Sequence, residues 1–200
     1  MTQTKVRSAT RGAGTPASTD WSGPERLYAF ADSVHADADA GRDADATAAQ
    51  WETWVTFRLG RETFGFGVET IQEIVRVDTI TRVPHAPYVV RGIINLRGRV
   101  VPVVDLRVRL GLPASTITSQ SRILIAASRQ RVLGLLVDAV EQVVRIDRHK
   151  VDAPPDDVMT SQSEYIIGVL ERAETLLILL DSARALLVPD GLDTERTELT

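Results

Sequence analysis

The chain has 200 residues, 44% of them hydrophobic and 25% charged, a formal net charge of −4 and no cysteine. That balance fits a globular chain of one domain or two small ones, and it excludes disulfides, thiolate metal sites and cysteine nucleophiles. The acidic balance argues against sequence-independent nucleic-acid binding, and no apolar run approaches the roughly 18–20 residues of a membrane span.

The first residues lack the apolar stretch of a secretory signal, so none is expected. Residues 1–50 hold two Val, one Leu and no Ile, against 21 Val, 12 Ile and 18 Leu in the remaining 150. So few branched apolar residues cannot offset the entropy of ordering a chain, and 1–50 is read as a disordered Ala/Asp-rich tail. One patch interrupts it, Ser22–Phe30. Ser22 can cap a short helix with Pro24 in its first turn, leaving Leu27, Tyr28 and Phe30 either as a transient helix or as a docking motif. Residues 51–188 are read as the folded domain and 189–200 as a flexible C-terminal tail.

From Trp54 the pattern has period two. Val55, Phe57 and Leu59, then Phe64, Phe66 and Val68 after Gly60-Arg-Glu62, predict a hairpin with one buried face. Ile71, Ile74 and Val75 have helical spacing and predict a helical turn over 69–75. Pro84 and Pro87 mark a loop. A second hairpin follows, Gly92–Leu96 and Val100–Val104 around Arg97-Gly98. Pro102 predicts an edge strand or a barrel corner, because proline cannot donate to a ladder. Asp105 is expected to cap the short segment Leu106–Leu110, ended by Gly111 and Pro113.

The chain then repeats itself. At an offset of 69, Val55–Leu59 falls on Leu124–Ser128, Val68-Glu69 on Val137-Asp138, and Ile74–Arg76 on Val143–Arg145. At an offset of 76, Gly92–Ile94 falls on Gly168–Leu170, and Val100–Asp105 on Leu176–Asp181. A unit of hairpin, turn, hairpin and short helix therefore occurs twice. Strand-rich units of this size are expected to close into small barrels, which removes their edges.

No catalytic set emerges. Asp105 and Asp181 end equivalent strands and are read as helix caps. Gly65-Phe-Gly67 is too short for a phosphate loop, and an acidic residue follows it. His35, His85 and His149 stand at no metal-ligand spacing, so no metal or cofactor is expected. Arg97, at the tip of Asn95–Arg99, is either a solvated turn arginine or the partner of Glu73 in a bidentate pair.

The stretches Val83-Pro-His-Ala-Pro-Tyr-Val-Val-Arg-Gly92, Ile94-Asn-Leu-Arg-Gly98 and Val101-Pro-Val-Val-Asp-Leu106 resemble the bacterial chemotaxis coupling family, CheW. Gln72-Glu73-Ile74, Gly134-Leu-Leu-Val-Asp138, Tyr165-Ile-Ile-Gly168 and Leu177-Ile-Leu-Leu-Asp181 extend the resemblance over about residues 52–188. It implies an all-β fold of two intertwined, five-stranded SH3-like barrels with short helices. It implies a non-catalytic cytoplasmic adaptor, recruited to membrane-associated arrays, that couples methyl-accepting chemoreceptors to the histidine kinase CheA. Receptor tips would bind in a groove between the barrels, whose positions fall on Ile71, Ile74 and Val137. The family's characteristic residues fall on Glu73, Gly92, Asn95, Arg97 and Gly98. The kinase surface would lie in the second barrel, with no residue assigned. Two rivals stand beside this reading: a scaffold of the same fold for surface motility or development, and a small hydrolase using Asp105 or Asp181.

Overall fold

The computed structural model describes residues 50–128, 131–154, 163–172 and 175–187. The expected tails at 1–50 and 189–200, with the Ser22–Phe30 patch, lie outside these residues except for Gln50, which is exposed. The first repeat supplies β1 (Trp51–Leu59), β2 (Glu62–Gly67), β3 (Ile71–Arg76), β4 (Val90–Leu96), β5 (Arg99–Asp105) and the short helix α1 (Leu106–Arg109). The second supplies β6 (Arg122–Ser128), β7 (Arg131–Val137), β8 (Ala139–Asp147), β9 (Ile166–Arg172), β10 (Thr175–Leu180) and α2 (Ser182–Ala185). Each element of one repeat has its counterpart in the other.

The strands are not partitioned by repeat. One five-stranded sheet runs β8-β1-β2-β10-β9 and the other β3-β6-β7-β5-β4. Each hairpin that opens a repeat has crossed into the sheet completed by the other repeat. β2 meets β10 in parallel, and β7 meets β5 in parallel, through three paired residues each. These two short parallel ladders join the repeats, together with the longer antiparallel ladders β1–β8 and β3–β6.

The closed barrels implied by the resemblance are not what the pairing gives. Both sheets are open, with β8 and β9 at the edges of one and β3 and β4 at the edges of the other. A single antiparallel bridge spans each gap, Thr81 to Ile93 and Asp152 to Val169. The close approach explains two glycines at equivalent positions. A Cβ on Gly92 would stand 2.2 Å from the Thr81 carbonyl oxygen, and one on Gly168 would stand 2.3 Å from Val151 Cγ1.

Two local expectations change. The helical turn over 69–75 is a 3-10 turn, Val68–Thr70, followed by strand β3. The register against β6 shifts between Ile71 and Glu73. That bulge adds one residue, so Ile71 and Ile74, three apart, both enter the same core. Pro102 is not on an edge, since β5 lies between β7 and β4. Its missing N–H falls one residue before the β7 ladder, which begins at Val103.

Three apolar clusters hold the sheets. The largest lies between them, built on Phe57, Phe66, Leu106, Leu124, Leu135 and Leu180. Smaller ones fill the opposite face of each sheet, around Trp54 and Leu179 in one and around Val103 and Ile123 in the other. The central strands β6, β7 and β10 therefore bury both faces and read as near-continuous apolar runs.

Candidate partner-binding surface

The β4–β5 hairpin ends in a two-residue turn. Leu96 pairs with Arg99, and the turn residues Arg97 and Gly98 have φ of 52° and 84°. Positive φ at both positions matches the right-handed twist of a hairpin. Gly98 is there for its backbone angle, because nothing lies within 4 Å of where its Cβ would be. The Gly98 N–H donates to Asn95 Oδ1 at 2.8 Å, which locks the turn. Arg97 is held in a conformation costly for a residue with a Cβ.

Arg97 Nη2 donates to Glu73 Oε2 at 2.8 Å. The two residues lie 24 apart, on the hairpin tip and on β3. The pair is lopsided: the arginine side chain is 65% exposed and the glutamate 8%. A buried carboxylate thus has an exposed cation as its partner. Beside it lies a hollow of about 350 Å3, lined by Gln72, Leu96, Arg99, Val101 and Val132. Its floor is apolar and its rim cationic, an arrangement suited to a partner segment with apolar and acidic side chains.

Of the residues singled out in the sequence, Glu73, Asn95, Arg97 and Gly98 come together here. Gly92 stands elsewhere, at the Thr81 bridge. Ile71, Ile74 and Val137 are corrected from groove to core. They are 0%, 2% and 1% exposed and belong to the cluster between the sheets. The space expected to receive a partner helix is filled by the protein's own side chains.

Asp105 and Asp181 act as helix caps. Asp105 Oδ1 accepts from the N–H groups of Arg107 and Val108 at 3.1 and 3.3 Å, and Asp181 Oδ1 from that of Arg184 at 3.1 Å.

One cluster escaped sequence reasoning. Asp138, at the β7–β8 junction, accepts from the Gly60 N–H at 2.6 Å and from Arg107 Nη1 at 2.7 Å. Its other oxygen accepts from Ser115 Oγ at 3.0 Å. Burial pushes this carboxyl's pKa up, but the hydrogen bonds from Gly60, Arg107 and Ser115 and the arginine's charge more than offset it, leaving the group below its ordinary value. The cluster ties the β1–β2 turn of one sheet to α1, which follows the other. The repeat flagged Asp138 as an acidic position, but its partners lie on three separate segments.

Among the described residues, no helix is long and apolar enough to cross a membrane. The Chemotaxis protein CheW of Klebsiella aerogenes is 31% identical over 135 residues, covering 68% of this chain and 81% of that one. Protein PilI of Pseudomonas aeruginosa is 29% identical over 148 residues, covering 73% and 82%. The crystal structure of scaffolding protein TtCheW from Thermoanaerobacter tengcongensis superposes with a TM-score of 0.63 at 29% identity, over 74% of this chain and 94% of that one. The CheW-like domain matches residues 53–188, a span that takes in both repeats and both sheets, and the chain therefore belongs to the CheW-like family.

Proposed function

We propose that this chain is a non-catalytic chemotaxis adaptor that couples methyl-accepting chemoreceptors to the histidine kinase CheA in membrane-associated arrays. The observation that carries this reading is the match of a CheW-like domain to residues 53–188. The protein would act by binding both partners at once, so that the receptor's state biases the kinase's geometry through coupled binding equilibria. The hollow beside Glu73 and Arg97 is the proposed partner surface on the β3-β6-β7-β5-β4 sheet. The kinase would take a surface of the other sheet, with no residue assigned. Such an adaptor works in the cytoplasm and is recruited to the array by its partners.

The test is a titration of the full chain against a receptor cytoplasmic tip fragment and against the CheA regulatory domain of the same cell. Binding of both is expected. Arg97→Ala, confirmed folded by circular dichroism, is expected to weaken receptor binding about tenfold, equivalent to about 1.4 kcal/mol, and to leave kinase binding unchanged. A full chain that binds neither partner overturns the reading. The likeness to PilI supports a second reading, a scaffold for a different chemosensory kinase pathway serving surface motility or development. Capture of that pathway's kinase in place of CheA would select it.

A further inference from the structure

The connection from β3 to β4 is anchored at both ends. Thr81 and Ile93 exchange two backbone hydrogen bonds, of 2.9 and 2.8 Å, at one end. At the other, the Val90 N–H donates to the Pro87 carbonyl and the Asp105 N–H to the Val89 carbonyl, both at 2.8 Å. Between these anchors Pro84 and Pro87 stiffen the chain, since proline fixes its own φ. His85 between them has φ of 58°, a left-handed conformation costly for a residue with a Cβ. A braced loop that holds such a residue suits a pre-formed binding site, because little ordering remains to be done on binding.

The connection frames a hollow of about 700 Å3, lined by residues 82–88, Val90 and Arg91. The lining carries two arginines and a histidine and no carboxylate, in a chain whose net charge is −4. The side chains of Arg82, His85 and Tyr88 make no hydrogen bond, ion pair or ring contact with any described residue. Arg91 is only loosely held. Its Nη2 donates to the Ser115 carbonyl at 3.5 Å, its Nε stands 3.8 Å from the Asp105 carboxylate, and the side chain stays 37% exposed. Because Thr81 is bridged to Ile93, Arg82 and Arg91 both leave the backbone within two residues of one bridged pair. Tyr88 is 85% exposed, and beside the two prolines it offers ring area with a polar tip.

This chemistry selects an occupant. Two guanidinium groups with unused donors fit carboxylates, which accept their N–H groups in pairs. Arg82, Pro84, His85 and Tyr88 are all exposed, so the hollow covers one side of a ligand and does not enclose it. A small molecule needs most of its surface buried, whereas an extended polypeptide does not. Arginine and tyrosine are also residues that concentrate at protein interfaces. We propose that this hollow binds an acidic, extended segment of a partner polypeptide, with carboxylates on Arg82 and Arg91 and an apolar side chain on Tyr88. The site is separate from the surface beside Glu73 and Arg97. The two lie at opposite ends of β4, about 20 Å apart at roughly 3.3 Å per residue.

The probe is a short fluorescent peptide of alternating glutamate and valine, with a glutamine-for-glutamate peptide as its control, titrated against the full chain by anisotropy. The acidic peptide is expected to bind about tenfold tighter than the control at low salt, and to lose most of that preference as added salt screens it. Arg82→Glu breaks no contact in the folded protein, so it should leave the fold intact and abolish the preference. Arg99→Glu makes the same charge change at the far end of β4 and should keep it. Tyr88→Ala should weaken both peptides alike, by about threefold. Equal affinity for the two peptides, a preference that survives Arg82→Glu or is lost in Arg99→Glu, or a Tyr88→Ala protein that binds both as well as the wild type overturns the proposal. Displacement of the peptide by inorganic phosphate at the peptide's own concentration also overturns it, because the site would then be one for small anions. A dimer of the chain that Arg82→Glu dissociates would put a second copy in the hollow and overturn it as well.

Discussion

The ion pair between Arg97 and Glu73 makes a quantitative expectation possible. Arg97→Ala leaves a carboxylate that is only 8% exposed without its cation. Leaving a buried charged group unpaired costs about 1–3 kcal/mol, more than the roughly 0.2–1 kcal/mol typical of an exposed pair. The backbone adds a second effect. Arg97 has φ of 52°, and left-handed backbone costs a residue with a Cβ about 1–2 kcal/mol. Alanine keeps that strain and glycine relieves it. Arg97→Gly is therefore expected to be the milder change by about 1 kcal/mol, although it removes the same side chain. Urea unfolding of the four corners of an Arg97→Ala, Glu73→Ala cycle is expected to give a coupling of about 1–2 kcal/mol. Equal m-values across the cycle would confirm that the change lies in stability and not in compactness. Additive single effects, or an Arg97→Gly protein less stable than Arg97→Ala, would refute the reasoning.

Other expectations rest on the same structure. Ile71→Asp places a carboxylate in the core between the sheets and should abolish the folded circular-dichroism spectrum at 25 °C, whereas Ile71→Val should cost about 0.5–1.5 kcal/mol. Gly92→Ala drives a Cβ onto the Thr81 carbonyl and should cost about 2 kcal/mol or more in urea unfolding; a loss below about 0.5 kcal/mol would show that the bridge gives way easily. Asp138 is held below its ordinary pKa of 3.8, so its contribution to stability is complete above that pH and is lost as pH falls through the lowered value in the folded state. The stability gap between the wild type and Asp138→Asn should accordingly stay constant from pH 7 to about pH 5 and narrow below about pH 3.8. A gap that widens on acidification would reverse the sign of that argument.

What the sequence discloses and what it conceals divide along physical lines. Alternation is local, so the two hairpins, the duplicated unit and the capping aspartates Asp105 and Asp181 are legible from it. The pair of Glu73 and Arg97 is legible only as one of two readings of the turn, the other being a solvated arginine. Partner choice between strands is not local. Both repeats carry the same alternating pattern, and nothing in it says that β1 pairs with β8 and not with β3. The bulge between Ile71 and Glu73 misleads for a related reason, since one extra residue converts strand spacing into the spacing of a helix. Ile71, Ile74 and Val137 read as groove positions only while the space between the sheets is pictured as open. The Asp138 cluster draws Gly60, Arg107 and Ser115 from three segments, and no spacing rule connects them.

The exchange of hairpins between the sheets bears on how this chain can be made. β1 lies beside β8, and Thr56 donates its hydroxyl to the carbonyl of Gln142, 86 residues further on. As synthesis proceeds, the opening hairpin emerges with neither of its neighbours in the finished sheet yet available, so its pairing edges wait for the second half. Neither half can be released as a finished unit, and a nascent chain cut between α1 and β6 should remain a chaperone client. The same arrangement invites reciprocal exchange in a crowded cell. Two unfinished chains can each complete the other's sheets with every native contact in place, giving a dimer whose only foreign feature is the path of its connecting loops.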